Sequence, residues 1–162
     1  MIQAMSDYFG AEKNESLLFI AVGVVACGVA IWLWSQGHRL KTMAFPLVAV
    51  ALIQVVVGGS VYFRTDSQVA QLQQKLSASP AELKTIETAR MEQVMQRFQT
   101  YKRIEIALIL LGICLMIFLR RSDIAVGIGS GLMIQAAFML CLDLFAETRG
   151  EDYLKALTQL AA

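Results

Sequence analysis

Residues 43–63 read MAFPLVAVALIQVVVGGSVYF and contain no charged side chain. Three more apolar stretches, 16–36, 101–119 and 124–145, complete the pattern. A helix needs about 20 predominantly apolar residues to cross a hydrocarbon core of about 30 Å. Since backbone groups in lipid must be hydrogen-bonded within their own segment, we predict that all four stretches are transmembrane helices.

The third stretch is the most polar of the four. Its mainly apolar part begins only at Ile104. It reaches the length of a span if it extends back to Tyr101 and the long side chains of Lys102 and Arg103 reach toward the headgroups. We therefore include residues 101–119 among the predicted spans.

The composition of the whole chain supports a membrane location. Of the 162 residues, 57% are hydrophobic and 17% are charged, and the mean hydropathy is +0.58. A soluble domain has about 45–50% apolar and about 25% charged residues. The 14 Lys and Arg balance the 13 Asp and Glu, so no net field would attract nucleic acid. Membrane lipids are the expected surroundings, and no nucleic-acid partner is expected.

The main polar segment lies between the second and third spans. Residues 65–100 are predicted to form a helical hairpin that projects from the membrane. Ser79-Pro80-Ala81-Glu82 marks its turn, because Ser at the cap, Pro next and Glu three residues after Ser are typical of a helix start. The predicted fold is all-α, a polytopic membrane protein of one membrane domain, residues 1–162. Its four transmembrane helices form an antiparallel bundle, and the hairpin extends helices 2 and 3.

The charge of the short connectors predicts the orientation. His38-Arg39-Leu40-Lys41 separates the first two spans and Arg120-Arg121 the last two. The positive-inside rule, weighted by charge density in short loops, puts both connectors in the cytoplasm and the termini and hairpin outside. The seven Lys and Arg within 64–103 favour the reverse by raw count. The layout is similar to that of many small bacterial four-span proteins, an architectural similarity that transfers no residue roles, and the expected location is the bacterial inner membrane.

Two glutamines lie deep in the spans. Gln54 is the twelfth residue of the second span and Gln135 the twelfth of the fourth, so both are expected near the midplane. An interhelical hydrogen bond in a membrane contributes about 0.6 kcal/mol on average. We predict a mutual Gln54–Gln135 bond that sets the helix register. The alternative is that both amides line a polar path or ligand cavity.

Charged residues gather at the hairpin side of the membrane. Arg64 ends the second span, Glu105 lies near the start of the third, and Asp143 and Glu147 close the fourth. An ion-pair network is one interpretation, in which Glu105 needs a partner such as Arg64, Lys102 or a group on another span. The other is an acidic vestibule for a basic partner, a hard cation or a proton.

Small residues mark predicted helix contacts. Gly58 and Gly59 are adjacent in the second span, and Gly127 and Gly131 form a GxxxG pair in the fourth. Glycine at this spacing lets helices approach closely. We predict packing within the chain, with formation of a homo-oligomer as the alternative.

Motifs that carry chemistry are scarce. The chain has one His and three Cys, without a CxxC pair, and no nucleophile elbow or phosphate loop occurs. We therefore predict no catalytic residue, metal ligand or cofactor, and the sequence does not favour an enzyme.

Three functions fit these features. The favoured one is a partner-binding, accessory or immunity-type membrane protein that acts through its hairpin, with Met91, Met95 and Phe98 as candidate partner surface, because Met-rich faces adapt to partners. The alternative is a homo-oligomeric channel or small-solute or ion transporter with Gln54, Gln135 and Asp143 along the path. A third is chemistry on a lipid, which requires Arg64 and the acids to converge on a headgroup-sized pocket.

Overall fold

The computed structural model describes residues 2–37 and 40–159, and these are almost entirely helical. The long helices are α1 (Ile2–Ser35), α2 (Ala44–Ala78), α3 (Pro80–Phe118) and α4 (Asp123–Thr158). A 3-10 turn, Lys41–Met43, precedes α2. His38 and Arg39, part of the predicted basic connector, lie outside the described residues.

The helix ends follow local chemistry. Pro80 occupies the first turn of α3, where its missing N–H costs nothing. The Ser79 hydroxyl makes no capping hydrogen bond, contrary to the predicted capping box, and Leu83 N–H donates to the Ser79 backbone carbonyl at 3.0 Å. At the start of α4 the Ser122 hydroxyl does cap the helix, accepting from Ala125 N–H at 3.3 Å.

Three helical segments are long and apolar enough to cross a membrane: α1, the segment Lys41–Ala78 that contains α2, and α4. The helix α3 is not among them. Its mainly apolar part runs from Ile104 to the helix end at Phe118, which is about 22 Å of helix.

The helices pack as antiparallel neighbours through glycines. A Cβ atom on Gly58 would lie 2.8 Å from the Ser16 carbonyl oxygen of α1. A Cβ atom on Gly112 of α3 would lie 2.5 Å from the carbonyl oxygen of Gly129 on α4. Backbone therefore meets backbone between α1 and α2 and between α3 and α4.

The GxxxG pair of α4 packs within the chain. Gly131 faces Pro46, whose Cγ would lie 2.5 Å from an added Cβ, and Gly127 faces Thr42. The Thr42 hydroxyl lies 3.3 Å from the carbonyl oxygens of both Asp123 and Ile124. By contrast, a Cβ placed on Gly59 would have no side chain and no backbone of another helix within 4 Å among the described residues. The faces of Gly127 and Gly131 that could have met a second copy are thus occupied.

All four helices continue beyond their apolar segments. The helix α1 begins at Ile2, well before its apolar segment, and α4 continues to Thr158. The end of the molecule at the α2–α3 turn is therefore built from all four helices rather than from a hairpin alone. Its buried cluster comprises Met5, Tyr8, Phe9, Leu72, Leu83, Met91, Tyr153 and Leu157. We call this group the distal core.

Aromatic rings hold α1 to α4 within the distal core. The rings of Tyr8 and Tyr153 stack with centroids 4.6 Å apart, and Phe9 meets Tyr153 edge-on at 5.8 Å. Burial raises the pKa of Tyr8 to about 12 and also raises that of Tyr153. Both phenols are therefore neutral at physiological pH, and the Tyr153 hydroxyl donates to Glu87 at 3.3 Å.

The predicted partner surface is largely internal. Met91 is fully buried in the distal core, and Met95 is half-buried with its sulfur facing Gly150 of α4. Phe98 is half-buried as well. The prediction that Met91 offers a surface to a partner is wrong, because the extended ends of α1 and α4 cover the face that the hairpin alone would leave open.

Alanine substitutions at Gly112 and Gly59 test the close α3–α4 contact as a matched pair. Both glycines lie inside helices, and alanine favours a helix over glycine by about 1 kcal/mol. A methyl group at Gly112 would meet backbone, so we expect Gly112→Ala to lower the free energy of unfolding by about 1–3 kcal/mol. We expect Gly59→Ala to keep or raise it. Thermal unfolding in detergent followed by circular dichroism measures both, and equal melting temperatures would contradict the contact.

Truncation of Met91 tests the distal core. Met91→Ala leaves a cavity among α1, α3 and α4, so we expect a loss of about 2–5 kcal/mol in the free energy of unfolding. Gln93 lies two residues away and is exposed, so Gln93→Ala is expected to change stability by no more than about 0.5 kcal/mol. Denaturant titration in detergent is the measurement. Similar midpoints for the two variants would mean that Met91 is on the surface.

Candidate functional site

A cavity of about 390 Å³ lies among the four helices where their apolar segments end. We call it the interfacial cavity. Its charged lining consists of Glu12, Glu15, Arg64, Arg90, Arg97, Asp143 and Arg149. Its apolar lining includes Phe19 of α1, Val57 of α2 and Leu142 of α4. The cavity therefore has a charged part and an oily part.

Ion pairs hold most of the arginines in place. Arg64 Nη2 lies 3.6 Å from Glu12 Oε1, and Arg149 hydrogen-bonds the Glu15 carboxylate. These two pairs tie α1 to α2 and α1 to α4. Each links helices that are distant in the chain, so the cavity depends on the assembled fold.

The residues that line the cavity include more positive than negative side chains. Four guanidinium groups face three carboxylates in the lining. Arg90 binds Glu87 of its own helix through two hydrogen bonds of 2.7 and 2.8 Å. Arg97 is exposed and makes no ion pair with any described residue. A guanidinium at this position is available to an anion.

Glu12 is the polar group most in need of a partner within the cavity. Its Oε2 atom is buried and has no hydrogen-bond partner among the described residues. Burial raises the pKa of Glu12, while the positive charges of Arg64, Arg90 and Arg149 act in the opposite direction. The unpartnered oxygen can accept a hydrogen bond from a ligand or from water.

Glu147 belongs to a separate network between α3 and α4. Lys102 Nζ lies 2.5 and 2.7 Å from its two carboxylate oxygens, and Gln99 Nε2 lies 2.7 Å from Oε1. Glu147 is thus satisfied by α3 and does not join a vestibule of free acids.

Glu105 does not form an ion pair with Arg64 or Lys102, the two cations expected from the sequence. It is 2% exposed, and no residue in the described part of the chain donates a hydrogen bond to its carboxylate oxygens. The two expected cations bind elsewhere, since Lys102 contacts Glu147 and Arg64 contacts Glu12. Its charged neighbour is Asp143 of α4, which also lines the interfacial cavity.

The two glutamines do not bond to each other. Gln135 Nε2 lies 3.5 Å from the Leu47 carbonyl oxygen, and the fully buried amide of Gln54 has no hydrogen-bond partner among the described residues. The reason is register: Gly131 meets Pro46 and Gly127 meets Thr42, pairs that are 85 positions apart, whereas Gln54 and Gln135 are 81 apart. The glutamines are therefore offset by about one helical turn.

Several cavity residues were not among the predicted site residues. These are Glu12, Glu15, Arg90, Arg97 and Arg149. Spacing offers a partial signal, because Glu12 and Glu15 are three apart and Arg90 and Arg97 seven apart, so each pair shares a helix face. Which faces meet could not be read from spacing. The described residues contain no group of three or more His, Cys, Asp or Glu side chains that could hold a metal ion.

The function of the cavity is inferred from its geometry, because comparison with known proteins gives no match. No family model matches the chain, and neither a curated protein nor a solved structure matches it.

Proposed function

We propose that this chain is a four-span integral membrane protein that binds an anionic amphiphile, such as an anionic phospholipid, in the interfacial cavity. The observation that carries the proposal is the composition of the cavity wall. Arginines from α2, α3 and α4 surround its polar part, and apolar side chains of the spans surround the rest. A ligand that fits both parts has an anionic headgroup and a hydrocarbon chain.

Exposed apolar side chains support α3 as the fourth span. Ile104 is 51% exposed, Leu110 is 56% exposed and Ile117 is 61% exposed. They lie on the part of α3 that packs along the apolar part of α4, as Gly112 and Gly129 show. Large apolar groups left in water along a whole helix face would be unfavourable, whereas lipid would solvate them. The short apolar length is compatible with local thinning of the bilayer.

The orientation follows from the connectors. Arg120 and Arg121 are exposed between α3 and α4, at the same end as the connector between α1 and α2. Dense basic charge in short loops favours the cytoplasm. We therefore place the α2–α3 turn, both termini and the distal core on the outer side of a bacterial inner membrane, arranged around an antiparallel four-helix bundle.

The chemistry of the cavity favours an anionic headgroup. Guanidinium groups bind phosphate through paired, charge-assisted hydrogen bonds, and Arg97 has no partner within the described chain. The buried Glu12 oxygen can accept from a hydroxyl or ammonium group of the same headgroup. Ligand cavities typically enclose about 300–1,000 Å³, a range that a headgroup and the start of an acyl chain can fill.

The two other functions considered from the sequence have less support. A partner-binding surface on the hairpin has less support because Met91 is buried in the distal core. A polar path through Gln54 would require an opening beside a side chain that is 0% exposed. Binding is proposed here without a reaction, since the lining offers no activated nucleophile.

Cysteine labelling tests the topology. In a background with Cys27, Cys114 and Cys141 changed to Ala, we expect Ser77→Cys to react with a membrane-impermeant maleimide in spheroplasts. We expect Gln36→Cys and Arg121→Cys to react only after lysis. Labelling of Arg121→Cys together with Ser77→Cys would show that α3 does not cross the membrane, and a fully reversed pattern would overturn the orientation.

Lipid retention tests the binding function. Native mass spectrometry of the detergent-solubilised protein is carried out with added dioleoylphosphatidylglycerol or dioleoylphosphatidylcholine, and we expect the anionic lipid to be retained preferentially. Arg97→Gln is expected to weaken that retention about tenfold, in line with the loss of one charged hydrogen bond worth about 1.5–3 kcal/mol.

Arg121→Gln is the matched control, because it removes the same charge at the opposite end of the molecule. Equal retention of the two lipids by the unmodified chain, or an equal effect of Arg97→Gln and Arg121→Gln, would overturn the proposed binding site.

A further inference from the structure

The side chain of Glu105 is a buried carboxyl group whose charged form is not stabilised by its described neighbours. The side chain is 2% exposed, and no described residue donates a hydrogen bond to either of its two buried oxygens. An isolated carboxylate in such a place is strongly disfavoured, and the usual outcome is that the group takes up a proton. The protonated form keeps one donor and one acceptor and carries no charge.

The two cations expected to pair with Glu105, Lys102 and Arg64, are both bound to other acids. On its own helix, Lys102 binds both oxygens of Glu147. From α4 it faces Asp143, with Glu147 one turn further on. On α2, Arg64 is paired with Glu12 of α1. The group adjacent to Glu105 is therefore another acid, and two neighbouring carboxylates out of water cannot both be ionised at ordinary pH.

We infer that Glu105 and Asp143 form a proton-binding site that holds one proton between their two carboxyl groups at neutral pH. The proton lies on one carboxyl and is donated to the other, so the pair carries a single negative charge. The packing of the helices creates the site, because α3 supplies one acid and α4 the other.

The protonation state of the Glu105–Asp143 pair affects the charge of the interfacial cavity. Asp143 lines the interfacial cavity, so the charge of the pair contributes to the field that a ligand there experiences. Loss of the shared proton at higher pH adds a negative charge to the wall and weakens binding of an anion. By linkage, an anion in the cavity must increase the affinity of the pair for its proton. This coupling rests on the proposed function, whereas the proton site itself does not.

Infrared spectroscopy of the purified, lipid-free protein in detergent tests the proton site directly. We expect the carbonyl band of a protonated carboxylic acid to persist at neutral pH and to disappear at higher pH. Glu105→Gln should abolish this band, because Asp143 then ionises beside a neutral amide. Asp143→Asn should shift its disappearance to lower pH, because the neighbouring negative charge is removed.

Glu151→Gln is the control, since Glu151 lies on α4 and is exposed, and it should leave the band unchanged. Absence of the band at neutral pH, or a band that survives Glu105→Gln unaltered, would overturn the inference. The Asp143→Asn titration keeps the test informative if Glu105→Gln does not fold, and a titration that does not move in Asp143→Asn would contradict a shared proton.

Retention of dioleoylphosphatidylglycerol as a function of pH tests the coupling. Retention should fall as the pH rises through the titration of the band, and Glu105→Gln should remove this pH dependence. No retention at any pH would count against the proposed function. Retention that stays constant while the band titrates would count against the coupling alone.

Discussion

The free-energy cost of placing a charge away from water governs how side chains are arranged around the interfacial cavity. Ionised groups that are partly removed from water require partners, and around the interfacial cavity several of these partners come from another helix. Arg149 binds Glu15 and Lys102 binds Glu147, so charge compensation also holds α1 and α3 against α4. Where no described cation pairs with a buried acid, as at Glu105, the same cost favours the neutral form of the acid.

Close packing of small residues makes this arrangement possible. Without a hydrophobic driving force between helices in lipid, close backbone approach is a main source of helix affinity. Gly112 and Gly129 bring α3 and α4 together, and Gly58 brings α2 to α1. These contacts fix the levels at which side chains meet. The contacts of Gly127 with Thr42 and of Gly131 with Pro46 keep Gln54 and Gln135 about one turn apart.

Much of the fold was predictable from residue patterns. The four helices, their connectors and the turn at Pro80 follow from apolar length and helix-start chemistry, which act within a few residues. The extent of the helices was less predictable. Residues before Ser16 and after Gly150 are polar enough to be interpreted as flanking segments, yet Phe9 and Tyr153 bury their rings against one another. That stabilisation exists only once α1 and α4 are adjacent.

The sequence by itself determined which segments are long and apolar enough to cross a membrane, because transfer of a segment from water to lipid depends mainly on the composition of that segment. Only the tertiary structure decided which polar groups share a cavity. Glu12 and Arg149 are separated by most of the chain, and their meeting depends on helix register and crossing. Register is a property of packed surfaces: a shift of one turn would give each charge a different partner, and the local pattern of residues would look the same.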